Sequence, residues 1–77
     1  MTQKTKNAII DALASIVVDT GNYLHQTIRE FPIDDPVKMN TIWGNGKTYR
    51  ERMLECQGWY DDALEALKEA TVYLIEI

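Results

Sequence analysis

Over its last third the chain repeats apolar residues four and three apart without a break: Tyr49, Met53, Cys56, Tyr60, Ala63, Leu67, Ala70, Leu74 and Ile77. That spacing draws one stripe along an α-helix and predicts that the stripe lies against another helix. An earlier run, Ile10, Leu13, Val17, Leu24, Ile28 and Phe31, follows the same pattern, with Gly21 standing in the gap of its stripe. Two long helices are expected, over about residues 5–30 and 48–76.

The residues between the two runs act as punctuation. Phe31-Pro32 ends the first helix, because a residue before proline is pushed out of helical backbone. Asp34-Asp35-Pro36 offers a capping carboxylate followed by proline at a first helical position, which predicts a short helical turn over 36–42. Gly44-Asn45-Gly46 marks a tight loop, since these residues tolerate positive φ. Thr48 and Glu51 then have the spacing of a capping box and should open the second helix, whose weak point is Gly58. The predicted fold is all-α and a single domain over 1–77: an antiparallel hairpin of two long helices with a short helical turn in the connection.

Each helix also carries a second seam. Ile9, Ile16 and Tyr23 recur every seven residues beside the first stripe, and Trp59, Ala66 and Tyr73 do the same on the second helix. One neighbouring helix cannot cover so wide an apolar arc. A homodimer packing as a four-helix bundle is therefore expected, with Ile9, Ile16, Tyr23, Trp59, Ala66 and Tyr73 as its interface. The competing expectation is that residues 36–43, with Val37, Met39, Ile42 and Trp43, fold back over the second seam within one chain. At 77 residues a lone core is marginal, which favours a partner.

Charge adds a polarity to this picture. The net charge of −4 arises wholly after residue 47, where Glu51, Glu55, Asp61, Asp62, Glu65, Glu69 and Glu76 face only Arg50, Arg52 and Lys68. Binding to nucleic acid, which depends on basic surface, is disfavoured. The acidic face of the second helix, above all Glu55, Asp62, Glu65 and Glu69, is instead a candidate docking surface for a partner protein. The single cysteine, Cys56, falls in the apolar stripe, which excludes an intrachain disulfide and fits a reducing, cytoplasmic setting. Asp11 and Asp19 interrupt the first apolar stretch before it reaches secretory or membrane-spanning length.

Catalytic signals are thin. Gly44-Asn45-Gly46-Lys47-Thr48 resembles the end of a phosphate-binding P-loop, but the first glycine of that motif would fall at Thr41, and no strand and parallel sheet are expected around it. A helix start flanked by bases can still hold an anion, so Trp43, Gly44, Gly46, Lys47, Thr48, Arg50 and Arg52 form an alternative phosphate or nucleotide site. His25 has no carboxylate one turn away with which to share a metal, and Asp62-x-x-Glu65 is a single acidic pair. No cofactor, metal or enzymatic activity is expected. The residues favour a small helical protein that acts by protein–protein contact as a regulator, adaptor or inhibitor, the kind that phages and plasmids carry to block a host system.

Overall fold

A computed structural model describes residues 1–76, the last of them by its backbone alone. Two 28-residue helices, α1 (Gln3–Glu30) and α3 (Tyr49–Glu76), pack against each other as an antiparallel hairpin. The connection holds a single helical turn, α2 (Pro36–Met39), and two short strands, β1 (Ile42–Gly44) and β2 (Lys47–Thr48). The molecule is a rod of 52 × 21 × 16 Å.

Local chemistry fixes both ends of α1 and the starts of α2 and α3. The Thr2 hydroxyl caps α1 by accepting from the Thr5 amide, which starts the helix two residues ahead of the expected position. At the other end Phe31 turns to extended backbone before Pro32 while its amide still donates to the Thr27 carbonyl. Asp35 caps α2 through the Lys38 amide at 3.0 Å, with Pro36 in the first turn. The capping box opens α3 reciprocally: the Thr48 amide donates to Glu51, and the Glu51 amide donates to the Thr48 hydroxyl, both at 3.1 Å.

The segment expected to be a helical turn over 36–42 stops being helical at Met39 and becomes a β-hairpin. Asn45 and Gly46 have φ of 52° and 75°, the paired positive values that a two-residue hairpin turn demands. Gly44 thus pairs with Lys47, and a register irregularity between Ile42 and Gly44 then pairs Ile42 with Thr48. A hydrogen bond from the Tyr49 amide to the Thr41 carbonyl ties this hairpin to the first residue of α3.

The long stripe of α3 is the side that meets α1. Cys56 and Leu74 are buried, the other described members are half-buried, and Ile77 lies outside the described residues. On α1 the stripe holds through Leu24 and then drifts, so that Thr27 is buried at 7% exposure while Ile28 stands 40% exposed. Thr27 stands seven residues beyond the half-buried Thr20 and fourteen beyond Leu13, so the seven-residue repeat of the contact passes through it and leaves Ile28 to one side. The buried threonine costs little, because its hydroxyl donates to the Tyr23 carbonyl at 2.9 Å and its other face touches Cys56 Sγ at 3.8 Å.

Candidate functional site

Tyr23 and Trp59 meet across the hairpin, ring centroids 6.2 Å apart, and this contact sets the register of the second seam. Stepping seven residues along each helix in opposite directions brings Ile16 level with Ala66, then Ile9 level with Tyr73. The two seams thus merge into one face that runs the length of the rod. Most of it is open to solvent: Ile16 is 49% exposed, Tyr23 46%, Trp59 44% and Tyr73 62%, with Ala66 exposed and Ile9 half-buried.

Residues 36–43 reach only the loop end of this face, where Trp43 lies against the Arg52 guanidinium that also contacts Tyr23 and Trp59, and they leave the rest of it open. Met39 is buried under the end of the hairpin, but Val37 and Ile42 point away at 77% and 63% exposure. The reason is the tight Asn45-Gly46 turn, which sends the chain straight from β1 through β2 into α3 and leaves no slack to lie along the helices.

The acidic row borders this apolar face. Asp62 and Glu69 each stand three residues beyond a seam residue, on the same flank of α3, and both are exposed. Glu65, also exposed, lies farther round the helix. Glu55 differs from them: its carboxylate is held by both Lys47 and Arg52 and is one-quarter exposed. The hydrogen bond from Lys47 is the main cause that lowers its pKa below the ordinary carboxylate value; burial opposes this, and Arg52 adds to it.

Arg52 is the centre of a cluster that the sequence pattern missed. Its guanidinium lies over three aromatic rings, 4.9 Å from the centroids of Trp43 and Trp59 and 5.5 Å from that of Tyr23. It also donates to the Tyr23 hydroxyl at 2.7 Å and to Glu55. Burial acts to lower the Arg52 pKa, but the hydrogen bonds from the guanidinium to Tyr23 and Glu55 outweigh it, so the guanidinium is held more firmly charged. Phe31 extends the cluster, edge-on to Tyr49 at 5.0 Å and tilted against Trp43 at 6.1 Å. One signal was present in the sequence, since Arg52 stands seven residues before Trp59 and so begins that seam. Sequence proximity groups Trp43 with Arg52 only as an anion site; the β-hairpin is what lays its ring against the guanidinium.

The groups considered for anion binding are engaged internally. Lys47 and Arg52 pair with Glu55, Arg50 donates to Asn40 at 3.1 Å, and the Thr48 amide is taken by Glu51. Gly44 and Gly46 shape the turn, and the cleft beside Trp43 and Arg52 holds about 120 Å³. Among the described residues no three His, Cys, Asp or Glu side chains converge as a metal site would require, and no helix is long and apolar enough to cross a membrane. No family model, curated protein or solved structure matches the chain.

Proposed function

We propose that this chain is a non-enzymatic helical binding protein of the cytoplasm that pairs with a second copy as a four-helix bundle and acts on a partner protein as a regulator, adaptor or inhibitor. The observation that carries the reading is the imbalance between core and open apolar surface. Among the described residues only Met39, Cys56 and Leu74 are buried apolar side chains, whereas Ile16, Tyr23, Trp59 and Tyr73 stand exposed along one face. The accessible surface is 5569 Å², against about 4,800 Å² for a compact monomer of 8.9 kDa. An elongated rod of 52 × 21 × 16 Å carries more surface than a compact monomer of its mass, and a second copy laid along the open face would reduce it.

The acidic surface of α3 supplies the second half of the reading. With Ile16 and Tyr73 covered by another copy, Glu65 faces outward while Asp62 and Glu69 line the edge of the contact, together a charged border that selects a basic partner. The phosphate or nucleotide alternative is weaker, because each base of the 43–52 segment already has an internal partner. Its cleft of about 120 Å³ also falls below the roughly 300 Å³ at which ligand pockets begin.

Sedimentation equilibrium tests self-association. The native chain is expected to run as a dimer, and replacing Ile16 and Trp59 with polar residues is expected to give monomer or partly unfolded chain. A native chain that stays monomeric and fully helical at high concentration would overturn the reading.

A further inference from the structure

Two closed arrangements can lay the Ile9–Tyr73 face on its own copy, and the residues of that face discriminate between them. If the two-fold axis runs along the rod, α1 covers the partner's α3 and like ends meet. If the axis runs across the rod, α1 covers the partner's α1, α3 covers the partner's α3, and the ends are exchanged.

Like ends together would stack Tyr23 and Trp59 of both copies in one layer, four aromatic rings at one end against two isoleucines and two tyrosines at the other. The spacing of packed helices follows the side chains between them, so such a bundle would splay where interiors are packed to uniform density. It would also bring both Arg52 guanidiniums, each only 15% exposed, to the same end. Each Arg52 shares Glu55 with Lys47, so each cluster keeps one net positive charge, and two such charges drawn to the same end repel.

Exchanging the ends removes both problems. Trp59 then meets Tyr73, Tyr23 meets Ile9, and the bulky layers at the two ends are identical. Ala66 meets its own copy at the centre, where its single methyl lets the two α3 helices approach, and Ile16 meets its own copy beside it. Each Arg52 lies fourteen residues from Ala66, so at 1.5 Å per residue the two guanidiniums stand about 40 Å apart.

We infer that two copies pair with ends exchanged, the two-fold axis passing between the Ile16 and Ala66 pairs. The inference rests on the self-association proposed above and names its geometry. The arrangement sets both α3 helices on one side of the bundle, which joins their acidic rows into one surface. It has one unfavourable contact: Asp62 of each copy comes level with Glu69 of the other, both exposed and therefore weakened by salt.

Single cysteines at the axis test the geometry. A disulfide needs Cα atoms within about 7 Å, a condition met only by residues that face their own copy. Ala66→Cys is expected to give covalent dimer under mild oxidation, as is Ile16→Cys, while the native chain, whose Cys56 is 1% exposed, is expected to give none. Circular dichroism checks that each variant stays helical, and either variant suffices if the other misfolds. If sedimentation shows a dimer but neither variant cross-links alone, and an equimolar mixture of the two forms a mixed disulfide, like ends meet and this geometry is overturned while self-association stands. If sedimentation shows only monomer, both fail.

Discussion

Gly58 and Gly21 both interrupt long helices, but their surroundings give them opposite meanings. A methyl group added at Gly58 meets nothing within 4 Å, so Gly58→Ala is expected to raise stability by about 1 kcal/mol, read as a higher thermal midpoint. At Gly21 the same methyl would lie 3.1 Å from the Tyr60 ring, and Gly21→Ala is expected to gain less than Gly58→Ala or to lose stability in the same assay. From the sequence Gly21 stands in the gap of the first stripe and Gly58 is a weak point of the second helix. Only the neighbour across the hairpin separates the one that accommodates a ring from the one that merely weakens the helix. Glu55 makes a similar point for charge. Its pKa is lowered in the folded chain, so the stabilisation it provides is full above the ordinary carboxylate value near 4.5 and is lost as pH falls through the lower folded value. Glu55→Gln is expected to flatten this acid limb in denaturation midpoints measured as a function of pH.

At the scale of elements, what could be read in advance was whatever is written in consecutive residues. The four-three spacing marked α1 and α3, and Thr48 with Glu51 marked the start of α3, because a helix and its cap depend on neighbours within one turn. The strands were missed although their signal was equally local. Asn45-Gly46 between Ile42-Trp43 and Lys47-Thr48 is a strong hairpin pattern, but the runs beside it are too short to show alternation. The stripe of α3 carries its own test. Leu67 is half-buried between the helices, and Leu67→Asp would place a carboxylate there without a partner. A chain this small has only a few kcal/mol in reserve, so the variant is expected to lose its helical circular dichroism.

For the whole molecule, the candidate face was legible in part. The seven-residue recurrence of Ile9, Ile16 and Tyr23, and of Trp59, Ala66 and Tyr73, marked surplus apolar surface, but only the Tyr23–Trp59 contact shows that the two seams share one side. The Arg52 cluster was not legible, since it joins α1, the β-hairpin and α3, parts of the chain far apart in sequence. The chain carries a net charge of −4 and borders its apolar face with Asp62 and Glu69, so the self-association proposed above would be opposed by long-range repulsion. Raising the salt concentration is expected to tighten the proposed dimer, read as a lower dissociation constant in sedimentation, the reverse of what a charge-driven contact would do. The guanidinium of Arg52 also has an optical consequence. It lies against both tryptophans of the chain, Trp43 and Trp59, so all the indole emission comes from one end of the rod. Fluorescence will report when the loop end opens and stay silent while the far end, around Ile9 and Tyr73, frays. A mismatch between emission and helical dichroism on heating would therefore reveal which end lets go first.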